Sequence, residues 1–199
     1  MSKVFVVDDD AAVRDGLTAL LETAEFEVEC YASAKTFLAA YAPSASQCLV
    51  LDMHMPGMSG LELQTELERQ GIQVPIVFLT AHGDIPSTVQ AVKAGAVDFL
   101  TKPVKPAHLL ERVQAALRQS KTNHRAIAAT VELRERLASL SKREHEVMAL
   151  ALAGHPNKNI ARQLGISHRT VEIHRAHVLR KMGAGSLLEV AHLAETLHK

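Results

Sequence analysis

Apolar positions in the first 118 residues fall into short continuous runs separated by stretches of helical spacing. Lys3–Val7 is a β-branched and aromatic run that ends in Asp8-Asp9-Asp10, after which Val13, Leu17, Leu20 and Leu21 recur at helical spacing. Glu27–Tyr31 reads as a second strand, and Ser33 is placed to cap a helix carrying Phe37 and Leu38. Cys48-Leu49-Val50-Leu51 is a buried strand ending at Asp52, and a loop rich in Met, Pro and Gly leads from it into a helix over residues 61–70. Ile76-Val77-Phe78-Leu79 is another buried strand, ending at Thr80. A helix over 86–94, a strand over 97–100 and a helix over 106–118 complete five β-α units, with Leu109, Leu110, Val113 and Leu117 on one side of the last helix.

Strands that are apolar throughout, each followed by a helix, predict a parallel sheet covered on both faces. Ligands of such sheets bind beyond the carboxyl ends of the strands. There the chain carries Asp8-Asp9-Asp10, Asp52, Thr80 and Lys102, and only the second strand ends without a polar candidate. Each of these residues alone reads as an ordinary loop or cap residue; their placement at four strand ends of one sheet does not. Converging carboxylates repel one another and call for a hard dication, and Mg²⁺ (or Mn²⁺) takes oxygen ligands. An aspartate beside such an ion can attack a phosphoryl group and become an aspartyl-phosphate. Lys102 would offset the charge on the transferring oxygens, and Thr80 offers a hydroxyl to the product. Asp52, at the end of a central strand and beside Gly57 and Gly60, is the expected nucleophile.

Val6-Val7-Asp8-Asp9-Asp10, Leu51-Asp52-Met53-His54-Met55-Pro56-Gly57, Leu79-Thr80-Ala81 and Phe99-Leu100-Thr101-Lys102-Pro103 resemble, in order, the receiver domain of two-component systems. The resemblance implies an α/β doubly wound, five-stranded parallel sheet with strand order 2-1-3-4-5. It implies that Asp52 takes phosphate from a sensor histidine kinase. On this basis Asp8 and Asp9 form an acidic pocket, and Asp9, Asp52 and the backbone carbonyl of His54 hold the ion. Thr80 and Lys102 contact the phosphoryl oxygens, and Phe99 changes rotamer with Thr80. The family often has Glu where Asp10 stands, and Asp10 is assigned a secondary role near the metal. His54 and His82, each two residues beyond a pocket residue, are expected near the path of attacking water, where they affect the lifetime of the aspartyl-phosphate; the plainer reading of both is exposed loop histidine.

The second half differs in kind. Residues 119–139 lack Gly and Pro and show loose helical periodicity through Ile127, Val131, Leu133 and Leu137, which predicts a partly helical linker over 119–135. Ser141 and Glu144 fit a capping box, opening a helix with Val147, Leu150 and Leu152 inward. A helix over 158–164 ends at Gly165, suited to a left-handed cap, and Ser167 caps a helix over His168–Met182, with Val171, Val178, Leu179 and Met182 inward. Gly183 and Gly185 interrupt the chain before a last helix bearing Leu187, Leu188, Val190 and Leu193. Two short helices joined by such a turn make a helix-turn-helix, whose second helix fits a major groove about 12 Å wide.

Charge sharpens that reading. The net charge of zero conceals 8 Lys and Arg against 15 Asp and Glu in residues 1–117, net −7, and 14 against 7 in residues 118–199, net +7. A basic domain of this size suggests a polyanion, an acidic one cations. The candidate DNA-contacting residues are Lys158, Arg169, Thr170, Glu172, Ile173, Arg175 and Lys181, with Ala176 also outward. The close spacing of His174 and His177 suggests metal only superficially, since no third ligand is evident. Two isolated cysteines, Cys30 and Cys48, read as reduced core residues. No apolar run reaches the ~18 residues of a membrane helix, and Met1-Ser2-Lys3 leaves no room for a signal peptide before the first strand, so a cytoplasmic protein is expected.

Leu140-Ser141-Lys142-Arg143-Glu144, Asn157-Lys158-Asn159-Ile160-Ala161, Leu164-Gly165-Ile166-Ser167, Thr170-Val171-Glu172 and Lys181-Met182-Gly183 resemble the LuxR-type DNA-binding domain, over residues 136–199. Joined to a receiver at 1–118, this is similar to the FixJ/NarL family of transcription regulators. The resemblance implies promoter DNA and RNA polymerase as partners, an activating role, and a homodimer formed on phosphorylation. The dimer face would be built by residues 86–94 and 97–100, with Val89 as apolar contact and Lys93 and Asp98 as a reciprocal charge pair across a two-fold axis. Rival readings fare worse. A phosphohydrolase would need a second Asp at position 54, where His stands, so no enzyme is expected. An RNA-binding output would lack stacking residues, because no aromatic follows Phe99. A receiver working without phosphate is disfavoured by the complete acidic pocket.

Overall fold

The computed structural model describes residues 2–80 and 98–197. In chain order these form β1 (Lys3–Val7), α1 (Ala11–Thr23), β2 (Glu27–Tyr31), α2 (Ala34–Ala40), β3 (Gln47–Asp52), α3 (Gly60–Arg69), β4 (Ile76–Thr80), β5 (Asp98–Thr101), α4 (Pro106–Ala138), α5 (Lys142–Leu152), α6 (Asn157–Leu164), α7 (His168–Met182) and α8 (Leu187–Thr196). The chain divides into two compact units, Met1–Arg125 and Ala126–Lys199.

The strands of the first unit form one parallel sheet in the order β2-β1-β3-β4-β5. Because side chains alternate across a strand, the apolar runs divide between two cores. Phe5, Val7, Leu49, Leu51 and Phe78 face Phe37 of α2 and Leu63 and Leu67 of α3. Val4, Val6, Val50, Val77 and Leu79 face Leu17 and Leu21 of α1 and Leu109, Val113 and Leu117 of α4. Burial on both faces explains the continuous apolar runs Val4–Val7 of β1, Cys48–Leu51 of β3 and Ile76–Leu79 of β4. β2 departs from that expectation because it is an edge strand: its burial is partial, and Lys3 bridges to Glu27 at 2.9 Å and Glu29 at 2.7 Å. Cys30 lies on this edge and is exposed, which corrects its reading as a core residue, whereas Cys48 is buried as expected.

α4 runs unbroken over 33 residues, with Leu109 buried in the first unit and Leu133 in the second. Nothing from Ala107 to Ala138 removes a backbone donor or frees the backbone, so the partly helical linker is helix throughout.

The second unit has two small cores. Leu133, Leu140, Met148, Val178, Met182 and Val190 form one, and Val147, Ala151, Ile160 and Val171 the other. The capping box of Ser141 and Glu144 is present, with both reciprocal bonds formed. Gly165 ends α6 at φ 66°, the left-handed conformation expected of it. α7 occupies the predicted span, and Ser167 caps it by accepting from Thr170 N at 3.0 Å. In α8 Val190 turns into the core, while Leu188 is 67% exposed. Among the described residues no helix is long and apolar enough to cross a membrane.

Candidate functional site

Parallel pairing brings the carboxyl ends of β1, β3, β4 and β5 to one edge of the sheet. Val7 pairs with Leu51, Asp52 with Leu79, and Thr80 with Thr101. Asp8, Asp52 and Thr80 are therefore neighbours at this edge, and all three are buried. Lys102 reaches in from the end of β5. Its ammonium lies 2.6 Å from Asp8 Oδ2 and 3.2 Å from Asp52 Oδ2. The Lys102 backbone N–H donates to the Thr80 carbonyl at 2.7 Å, which anchors the residue where its side chain can do this.

Backbone groups hold the acidic residues in place. Asp10 N–H donates to Asp8 Oδ1 at 3.0 Å, and Arg14 Nη1 donates to the Asp8 carbonyl at 2.7 Å. His54 N–H points at Asp52 Oδ1 across 3.5 Å. Gly60 N–H donates to the Met53 carbonyl at 3.1 Å, closing the loop after β3. A Cβ at Gly60 would collide with the Asp52 carbonyl oxygen and crowd Phe78 and the Met53 backbone, so only glycine lets α3 start this close to β3. Ser59 caps α3 in a second capping box, with Glu62, that sequence reasoning missed although Ser-x-x-Glu is legible there.

Burial pushes the Asp52 carboxyl above its ordinary range; the charge on Lys102 opposes this and the charge on Asp8 adds to it. Burial would by itself lower Lys102, but hydrogen bonding to Asp8 and the charge of Asp52 outweigh it and hold the ammonium protonated. Oxygen atoms of Asp8, Asp9 and Asp52 all lie within 4.8 Å of one another, and among the described residues no other group of three His, Cys, Asp or Glu converges so. Three carboxylates, one of them exposed on Asp9, fit a hard divalent cation, which takes oxygen ligands and keeps several waters.

Other expected residues are placed differently. Asp10 caps α1, accepting from Ala12 N at 2.8 Å, so its position near the metal-type cluster has a structural use of its own. Phe99 is half-buried and packs against the core shared with Leu51 and Phe78. Asp98 forms an ion pair with Arg112 of its own chain at 2.9 Å, a competitor for the reciprocal pair expected with Lys93. Val89, Lys93, His82 and the helix expected over 86–94 lie outside the described residues.

On α7 Arg169, Glu172, Ile173 and Ala176 are exposed, as are His168 and Arg180, with Thr170 half-buried at the first turn and Ile173 45% exposed. Lys158 is exposed at the start of α6. Arg175 is drawn toward α6: its Nη1 donates to Asn157 Oδ1 at 2.6 Å. Lys181 departs most from the DNA-facing expectation. Its ammonium is held by the buried Glu144 at 2.6 Å and by the Ser139 carbonyl at 2.9 Å. His177 Nδ1 also stands 3.4 Å from Glu144, so it faces a carboxylate of α5. Glu144, legible only as a cap, is thus the residue that ties α5 to α7.

Comparison with known proteins agrees with this geometry. The response regulator receiver domain family matches residues 4–114, and the luxR family of bacterial regulatory proteins matches residues 138–194. Nodulation protein W of Bradyrhizobium diazoefficiens is 45% identical over 194 residues, covering 98% of this chain and 86% of that protein. The transcriptional regulatory protein FixJ of the same organism is 44% identical over 191 residues, covering 96% and 93%. A low-resolution structure of the response regulator StyR superposes with a TM-score of 0.89 at 46% identity, over 98% of both chains. The chain therefore belongs to the FixJ/NarL-type two-component response regulators, joining a receiver domain to a LuxR-type DNA-binding domain, and is a transcription regulator rather than an enzyme.

Proposed function

We propose that Asp52 is the phosphoryl acceptor and that its phosphorylation by a sensor histidine kinase favours pairing of two receivers and tighter promoter binding. The observation that carries this reading is the Lys102 ammonium, 3.2 Å from Asp52 and fixed at 2.6 Å by Asp8. An Asp52 carboxylate oxygen attacks the phosphorus of a phosphohistidine; the new O–P bond forms as the N–P bond breaks, and the imidazole leaves to be protonated. Lys102 meets the charge on the phosphoryl oxygens from a preorganised position. Asp8, Asp9, Asp52 and the His54 carbonyl would hold Mg²⁺ or Mn²⁺, which when bound supplies Lewis-acid neutralisation of phosphoryl charge. The buried Thr80 hydroxyl then bonds a phosphoryl oxygen, and Phe99, packed on the core of Leu51 and Phe78, changes rotamer with it.

The product adds about −1.5 to −2 charge beside β4 and β5, and the face carrying Val89, Lys93 and Asp98 changes shape. Its preference for the paired state is a population shift. Pairing presents two α7 helices to half-sites about 34 Å apart. Arg169, Thr170, Glu172 and Ile173 read base edges, and Lys158 meets phosphate. Arg175 reads from its bond to Asn157, while Lys181 positions α7 from within the domain. Contact with RNA polymerase then activates transcription, in the cytoplasm. The test is intact mass after incubation with acetyl phosphate and Mg²⁺. One hydroxylamine-labile phosphoryl group on the wild type and none on Asp52→Asn is expected; equal labelling of both, or none on either, contradicts the assignment.

A further inference from the structure

The C-terminal ends of α4 and α7 meet, and each is closed by a cation from the other. Arg136, on the last turn of α4, donates from Nη1 to the Met182 carbonyl at the end of α7, at 3.0 Å. In return Lys181, on the last turn of α7, donates to the Ser139 carbonyl just past α4, at 2.9 Å. The last carbonyls of a helix lack intrahelical partners and carry the negative end of its dipole, so a cation there is favourable. Arg136 is itself steered by Glu132, one turn back, at 2.7 Å. The chain beyond α7 is shaped to admit the guanidinium. Gly183 has φ 67°, and a Cβ added to it would collide with Arg136 Nη1. Ala184 N–H turns back to the Leu179 carbonyl at 2.9 Å, closing the helix while Arg136 serves the Met182 carbonyl. Arg136 and Glu132 both precede the stretch that matches the luxR family, which begins at residue 138.

We infer that Arg136 is a positioning residue for sequence-selective DNA recognition: by holding the C-terminal end of α7 it sets the angle at which Arg169, Glu172 and Ile173 meet the bases. This rests on the reading of α7 as the groove-reading helix. Arg136 touches no DNA in this account, and its effect reaches the DNA only through α7. It should therefore act on selective binding and leave the non-selective phosphate attraction alone.

The experiment uses the full chain and two duplexes: one enriched by the wild-type protein from a random-sequence pool, and a shuffled duplex of equal length. For Arg136→Ala, affinity for the enriched duplex should fall roughly fivefold, the scale of a helix-terminus interaction. Affinity for the shuffled duplex and the slope of log K against log salt should stay at wild-type values. Arg136→Lys should recover most of the loss, since it keeps the cation, and Glu132→Gln should fall between. An equal fall on both duplexes would mean general loss of folded protein, and a salt slope reduced by about one would mean a direct phosphate contact; either overturns the inference, as does no change on the enriched duplex. Arg169→Ala separates the two readings: if it too leaves the enriched duplex bound, the assignment of α7 fails along with this one, whereas if only Arg136→Ala is silent, the positioning role alone fails.

Discussion

Lys102 Nζ and Asp52 Oδ2 stand 3.2 Å apart, although β4 lies between the strands that carry them. The lysine spans that gap because its backbone is tied to Thr80 and its ammonium is drawn to Asp8 as well. One cation thus serves two buried carboxylates, and in the proposed phosphoryl transfer it is already aimed at the incoming group. Lys102→Ala should reduce the rate of phosphoryl uptake from acetyl phosphate by on the order of a hundredfold, as loss of one preorganised donor to developing charge commonly does. Stopped-flow phosphorylation of the variant checks this.

The same cluster should make Asp52 a stability liability. Its folded pKa is raised by burial and by Asp8 despite Lys102, so between the unfolded and folded values the native state binds more protons than the unfolded chain. Stability from this group therefore falls as pH rises through that window and stays low above it. Asp52→Asn should melt at a higher temperature than the wild type at neutral pH. The difference should shrink as pH falls below the ordinary carboxylate value, and calorimetry across acid and neutral pH reads it directly.

Glu144 has the opposite sign. Hydrogen bonds from Lys181 and Ser141 depress it from 4.5 to about 2. Its contribution is present above the unfolded value and lost as pH falls from there toward about 2. Glu144→Gln should destabilise the C-terminal unit at neutral pH by about 2 kcal/mol, the worth of hydrogen bonds to a charged group. It should also flatten the acid limb of its unfolding curve, as followed by denaturant titration at several pH values.

Gly60 sits against the Asp52 carbonyl, and a methyl there has no room. Gly60→Ala should cost roughly 1–3 kcal/mol by overpacking and slow phosphoryl uptake, because β3 must shift to admit the Cβ. A control at Gly16, where a Cβ meets nothing, should do neither.

His54 is exposed two residues beyond Asp52, beside the approach expected of attacking water, and its backbone N–H faces Asp52 Oδ1 across 3.5 Å. His54→Ala should shorten the lifetime of the aspartyl-phosphate by opening that approach to water, as measured by phosphate release after removal of the donor.

Much of this is legible in the sequence. The β-α alternation named the sheet, because strands covered on both faces must be apolar throughout, and the polar residues at four strand ends named the pocket. Tertiary pairing supplies what the local pattern lacks. Lys181 and Arg175 look like free basic residues on a helix until Glu144 and Asn157 are brought beside them. Asp98 looks available until Arg112 from α4 meets it. Cys30 sits among apolar neighbours but on an edge strand. Arg136 reads only as half of a surface charge pair with Glu132, since the Met182 carbonyl it also meets is 46 positions away.

The central claim is that Asp52 is a switch, and the most direct test combines chromatographic mass with DNA binding, with and without acetyl phosphate and Mg²⁺, for the wild type and Asp52→Asn. The account predicts that the donor converts the wild type to a dimer and tightens its DNA binding, while Asp52→Asn stays monomeric and weakly bound. A wild type that ignores the donor, or an Asp52→Asn variant that responds to it, would contradict the account.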